Sequence, residues 1–332
     1  MKIAEIIEQR KPEWKELEAL VAEQKRIRST ALADPEKIAR FTALYRSVCS
    51  DLALAESYQF PAETVQYLNS IVGKAYHHLY RTPQKERSNI RRIFFEDIPR
   101  SIFHDPIFWL SFVLFWGPFG ICFFLCHLDS AFAEKILDKS QLAAMEAMYS
   151  QSFESMDFSE RFSMVGFYIW NNGGIGLKCF AFGIIGGICG AYILCSNSIY
   201  LGVIFGFMSG GAVGPEISSN FTNFTVAHGP FELTAIIMSA AAGMKMGFAF
   251  FSTHGYRRFD SVRIAAHKAI PIMITAFGLF CLAAFLEAFV SPAPWLPLIF
   301  KQGIALISSI LLFVYIVVLG ILAQKKIGLT GE

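Results

Sequence analysis

Two kinds of hydrophobic pattern follow one another along the chain. In the first 80 residues, apolar side chains recur three and four apart among charged ones, the spacing of amphipathic helices. Ile3, Ile6, Ile7, Trp14, Leu17, Leu20 and Val21 predict a helix over 2–28. Asp34-Pro35 predicts the start of a second, an N-cap followed by proline at the first helical position. It carries Phe41, Leu44, Tyr45, Val48 and Leu52 to about residue 58, before Pro61 interrupts. A third runs over 62–80 through Val65, Leu68, Ile71, Val72 and Tyr76. Three such helices can bury a small core of their own. Residues 87–105 interleave Arg87, Arg91, Arg92 and Arg100 with Ile90, Ile93, Phe94, Phe95, Ile98, Ile102 and Phe103. This is the pattern of an interfacial helix whose arginines face anionic headgroups.

Beyond residue 105 the apolar runs lengthen to about the 20 residues a membrane crossing requires. They fall near 106–127, 165–195, 199–220, 231–252, 269–291 and 297–322. The intervening loops differ in charge. The 128–161 loop holds seven acids and three bases, whereas 253–268 holds Arg257, Arg258, Arg263 and Lys268 against Asp260. Asn197 is expected in a short turn on the basic side, and Lys325 and Lys326 close the chain there. The Lys/Arg bias predicts six spans with both termini in the cytoplasm. The loop between the first two spans carries Leu137, Leu142, Met145, Met148 and Tyr149 at near-helical spacing, so short amphipathic helices are expected in it.

Composition agrees with the pattern. The 332 residues are 54% hydrophobic, 15% aromatic and only 17% charged, with a mean hydropathy of +0.44. Disorder and small disulfide scaffolds are excluded, and a net charge of +2 supplies no basic field for nucleic acid. The charges crowd into the first third, with 17 Lys/Arg and 15 Asp/Glu among residues 1–106. Met1 to Arg28 shows no apolar signal segment. The expectation is an all-α polytopic protein of about six transmembrane helices. It divides into a cytoplasmic helical domain (1–86), the interfacial helix (87–105) and a transmembrane domain (106–324) with its extracytoplasmic loop at 128–161. The expected location is a cytoplasmic membrane, crossed several times with both termini on the cytoplasmic side. The seven cysteines show no framework spacing and read as small buried hydrophobes.

Candidate chemistry is sparse. Gly202, Gly206, Gly210 and Gly214 repeat every four residues, as do Gly183 and Gly187, and Gly243 and Gly247. Small residues at this spacing let helix backbones approach closely in lipid, within one chain or in a homo-oligomer. His228 and Glu232 are four apart at the start of an apolar run, and an ionisable group there is a functional candidate by default. Asn171, Asn172, Lys178, Glu216, Glu287 and Lys301 belong to the same end of the bundle. Together they predict an outward-facing polar pocket in which Glu232 pairs with Lys178 or Lys301. The plainer alternative is a His–Glu bond that fixes the helix entry angle, with Glu287 and Lys301 at the interface. Lys245 is expected to snorkel toward the cytoplasm.

Enzyme signatures are lacking. There is no HExxH and no P-loop. Ser209, in Gly206-Phe207-Met208-Ser209-Gly210, is near the serine motif of intramembrane proteases, but no histidine lies in a later span to activate it. Cys122, Cys126 and His127 offer three potential metal ligands where four are usual. No catalytic residue, metal or cofactor is therefore expected.

Several motifs resemble the stage II sporulation protein M family of prokaryotic membrane proteins. They include Arg10-Lys11-Pro12-Glu13-Trp14, Leu44-Tyr45-Arg46 with Ser50-Asp51-Leu52-Ala53, Tyr67-Leu68-Asn69 and Asn171. The nearest match is His228-Gly229-Pro230-Phe231-Glu232-Leu233-Thr234-Ala235-Ile236, followed by Ala241, Ala242 and Gly243. The resemblance implies a partner-binding organiser of cell-envelope remodelling, or a companion of AAA-type ATPases, with no catalytic residue of its own. Three functions compete: a scaffold recruiting a protein partner through the N-terminal domain, a transporter or channel built on the His228–Glu232 pocket, and a distant third, an intramembrane hydrolase. Membrane lipid is the one common partner.

Overall fold

A computed structural model describes residues 3–26, 35–80, 90–150, 157–253 and 255–330. No strand occurs among them; the protein is all-α. The chain divides into two compact units, Met1–Asn89 and Ile90–Glu332.

In the first unit, α1 (Ile3–Arg26), α2 (Pro35–Ser57) and α3 (Ala62–Tyr80) fall within two residues of the predicted bounds. Their apolar stripes meet in a core of Trp14, Leu17, Phe41, Leu44, Val48, Leu68 and Ile71. Polar bonds seal its edges. Arg10 Nε donates to both oxygens of Asp51 at 3.0 and 2.9 Å, and Trp14 Nε1 donates to Asp51 Oδ2 at 2.8 Å. Arg40 Nη2 reaches Glu16 at 2.6 Å, and Tyr67 donates to Glu18 at 2.8 Å. Asp51 thus accepts from a guanidinium and from a buried indole. Its replacement by alanine leaves the Trp14 indole N–H and Arg10 Nε without their acceptor, while the guanidinium keeps Glu13 and Ser47, and is expected to destabilise this unit by about 1–3 kcal/mol. A lower denaturant midpoint for the unit, with the membrane helices unaffected, checks this.

The second unit opens with α4 (Ile90–Arg92), a π turn (Ile93–Asp97) and α5 (Ile98–Phe103), which form one continuous helical segment. Arg91 and Arg92 on it are exposed and Arg100 half-buried, while Arg87 lies outside the described residues. The segment is not purely interfacial. Ile98 and Ile102 are buried in the main core, and Phe103 fits against Gly320 near the C-terminus. Next come α6 (Pro106–Leu128), a 3-10 turn (Ser130–Lys135) and α7 (Lys139–Tyr149), the short loop helix that was expected. α8 (Phe158–Gly183), α9 (Ile188–Ser209), α10 (Pro215–Thr225), α11 (Gly229–Ala249) and α12 (Arg258–Phe289) follow. The last rod is α13 (Leu298–Phe313), a π turn (Val314–Val318) and α14 (Leu319–Thr330). Five of these helices are long and apolar enough to cross a membrane: α6, α9, α11, α12 and the α13–α14 rod. α8 has the length, but it carries Asn171, Asn172 and Lys178; it packs among α9, α11 and α12 as the sixth member of the bundle. Broad exposure of apolar side chains, such as Val113, Phe124 and Ile307, makes sense only against lipid.

α11 is the axis. It touches α6, α8, α9, α12 and α13, and 61% of its apolar window is buried, against 17% in the α13–α14 rod. Its small residues make this possible. A Cβ on Gly183 of α8 would lie 2.8 Å from the Cα of Gly243, and one on Gly243 would strike the Phe180 carbonyl. One on Gly247 would strike the Gly183 carbonyl. A second seam joins α6 to α9, where Cβ atoms on Gly202 and Gly206 would strike the carbonyls of Phe119 and Phe123. Gly210 is tight against the His127 carbonyl. These contacts lie within one chain. Gly214 is the exception; it faces open space and serves as the N-cap of α10.

The second and third spans differ from their predicted windows. The 165–195 run is cut at Ile184–Gly187, where Gly186 (φ +66°) and Gly187 (φ +81°) take left-handed conformations open to glycine at little cost. This turn contains no polar residue, so nothing in its composition marks a loop. Asn197, expected in a turn, sits inside α9 with Nδ2 buried and unpartnered. The predicted 199–220 span ends at Ser209, and Pro215 starts the short α10, which packs Phe221 and Phe224 against Tyr149 of α7. Gly243→Val is expected to abolish folded yield by wedging α8 from α11, whereas Gly214→Val, in open space, leaves yield unchanged. Size-exclusion profiles of the detergent-solubilised variants give the comparison.

Candidate functional site

The candidate residues meet where the N-terminus of α11 crosses α8 and the C-terminal end of α12. His228 is the N-cap of α11 and Glu232 lies in its first turn, with Pro230 between them at a position where its missing N–H costs nothing. Glu287 is in the last turn of α12, and Ser291 follows just after it. His228 Nδ1 is 2.8 Å from Ser291 Oγ, and Nε2 is 3.8 Å from Glu232 Oε2. Asn172 of α8 donates from Nδ2 to Glu287 Oε2 at 3.1 Å and accepts from Asn171 Nδ2 at 3.1 Å. Lys301 of α13, 2% exposed, donates to the Ser291 carbonyl at 2.7 Å. Phe224 of α10 sets its ring edge against the His228 imidazole, 5.7 Å between centroids.

Four helices thus contribute to one polar knot, and Ser291 ties two of its branches. The expected ion pairs are not those observed. Lys178 is exposed on α8, and Lys301 donates its hydrogen bond to a carbonyl; the partner facing Glu232 is His228. Glu287 and Lys301, expected at the interface, are buried. Glu216 is exposed on α10 and stands apart from the cluster. Nor does the cluster form an open pocket: the side chains of His228 and Glu232 are 7% and 14% exposed. A cavity of ≈400 Å³ flanks α11 along other residues, among them Phe112, Trp116, Leu233, Thr234, Ile237 and Leu312, and its walls are mainly apolar.

Ser291 escaped the sequence reading because a serine after an apolar run is unremarkable. Another missed pair is Asp105–Lys245. Asp105 caps α6, accepting from Ile107 N at 3.0 Å, and lies 2.5 Å from Lys245 Nζ of α11. Lys245 therefore pairs inside the protein and does not snorkel. Ser209 does find a histidine, in an earlier helix: His127 Nδ1 is 3.2 Å from Ser209 Oγ. That hydroxyl also donates to the Phe205 carbonyl at 2.6 Å, and among the described residues no carboxylate bonds the imidazole, so the pair lacks the orienting third group of a nucleophilic triad. Cys122 and Cys126 are spent on packing against Gly202 and Gly206.

His228→Ala removes the partner of Ser291 and of Glu232 together. It is expected to cost about 2–4 kcal/mol, as for the loss of a buried polar partner. Glu216→Gln, on the exposed face, changes nothing. Thermal unfolding in detergent distinguishes the two.

The family model described as Stage II sporulation protein M matches residues 107–292, which include α6 to α12 and the whole His228–Glu232–Glu287 cluster. A second model, Domain of unknown function (DUF8413), matches residues 4–81, the three-helix unit. No curated protein and no solved structure matches the chain. Since the first model covers more than half of its length, the chain belongs to the stage II sporulation protein M family.

Proposed function

We propose that this protein is a non-enzymatic scaffold in a prokaryotic inner membrane, recruiting a protein partner through its N-terminal three-helix unit. The observation that carries this reading is the separateness of that unit. It has its own core, its own polar seams and its own family match, and none of its helices is among those able to cross a membrane. A unit that adds no span and holds no candidate site in the membrane is suited to binding. The Lys/Arg bias of the loops supports a cytoplasmic placement for it and for the C-terminus. The resemblance of the membrane part to envelope-remodelling proteins supports a partner that acts on the envelope or on its assembly.

Transport is the second reading, favoured by the charged groups buried inside the bundle. Co-purification separates the two. Extraction of tagged protein from native membranes, with quantitative mass spectrometry, is expected to yield a stoichiometric partner that disappears on deletion of residues 1–89. The same partner remains with Glu232→Gln. A homogeneous species lacking any partner in every sample overturns the scaffold reading, and loss of flux in Glu232→Gln with the partner retained favours transport.

A further inference from the structure

We infer that His228, Glu232 and Glu287 form a binding site for one divalent metal ion of the zinc or manganese class. Each offers a ligand atom, and the three atoms lie within 4.8 Å of one another. The ligands come from two helix ends, the N-terminus of α11 and the last turn of α12, so the site exists only in the folded bundle.

The spacing points to a bridging ion. His228 Nε2 and Glu232 Oε2 are 3.8 Å apart, too far for a hydrogen bond and close for two ligands of one centre. Ligands at about 2.1 Å from a tetrahedral ion stand roughly 3.4 Å apart, so small rotations of the carboxylates close the set. The group facing the Glu232 carboxylate is the His228 imidazole, which stands beyond hydrogen-bond reach. Electrostatics points the same way. Two carboxylates share a largely buried space within the membrane unit, where the Lys301 ammonium donates to the Ser291 carbonyl and the Arg161 guanidinium to the carbonyls of Ala288 and Phe289. Burying like charges together without a counter-charge is costly. One divalent ion balances both acids, with a neutral imidazole as third ligand, a donor set that suits these metals.

The outer shell is also that of a metal site. In the tautomer that carries its proton on Nδ1, His228 donates to Ser291 Oγ and keeps the Nε2 lone pair free on the side of Glu232. Asn172 holds one oxygen of Glu287 and leaves the other for the ion. Such outer hydrogen bonds fix tautomer and ligand orientation.

The test uses the full-length protein in detergent, carrying a tag without histidine. After chelator treatment it is dialysed against Zn²⁺ or Mn²⁺ in separate arms and its metal content is measured by mass spectrometry. Wild type is expected to hold about one ion per chain in at least one arm, water filling the position that the three protein ligands leave open, and Glu216→Gln the same, since Glu216 is not one of the ligands. Glu287→Gln is expected to lose the ion. Ser291→Ala, which alters the outer shell alone, is expected to weaken binding about 10- to 100-fold. Folded wild type that takes up neither metal overturns the proposal. Equal uptake by wild type and a folded Glu287→Gln overturns it too. If Glu287→Gln fails to fold, the wild-type stoichiometry and the Ser291→Ala affinity still decide.

Discussion

The fold depends on how closely a helix in the middle of a bundle can approach its neighbours. In lipid there is no hydrophobic gain from bringing two apolar helices together, so association rests on van der Waals contact and on polar bonds. α11 satisfies this by being narrow. Gly243 and Gly247 set its backbone against α8 and the turn that follows α8, and Ala235, Ala240, Ala241 and Ala242 are buried on it. Once α11 is fixed, α12 and α8 close on it from two sides and the groups at its N-terminus are brought to the end of α12. The polar knot is a product of that packing.

Polar bonds finish what the glycines begin, one at each end of α11. Near its C-terminal end Lys245 meets Asp105 at the cap of α6, and at its N-terminal end His228 and Glu232 meet Ser291 and Glu287. Both ends join α11 to a different helix by groups that are expensive to bury alone. Register along the axis is thereby set twice, which a smooth face of alanine and glycine does not do by itself.

Much of this architecture is legible in the sequence, for identifiable reasons. The N-terminal helices announce themselves through periodic apolar residues and through Asp34-Pro35, since both signals are local. The glycine seams follow from four-residue spacing. What escaped was non-local or silent. The break between α8 and α9 is made of isoleucine and glycine, so hydropathy runs through it unmarked. Glu232 was singled out because charge in an apolar run is conspicuous, but its neighbours were not the lysines that charge complementarity suggested. They are His228 and Glu287, the latter 55 positions beyond Glu232 and placed by how α12 crosses α11. Lys301 and Lys245 were misplaced for the same reason, because their partners are a backbone carbonyl and a distant helix cap.

That apolar turn has a consequence for how the protein enters its membrane. Orientation during insertion is set by positive charges held back on one side. The segment from Ile184 to Gly187 has none to hold, and the two glycines let the chain reverse within four residues. α8 and α9 therefore have no independent preference at their junction and are best inserted together, as a hairpin, with the charges beyond their outer ends deciding which way it points. A single arginine placed in that turn would give the hairpin an orientation signal of its own, in competition with the rest of the chain.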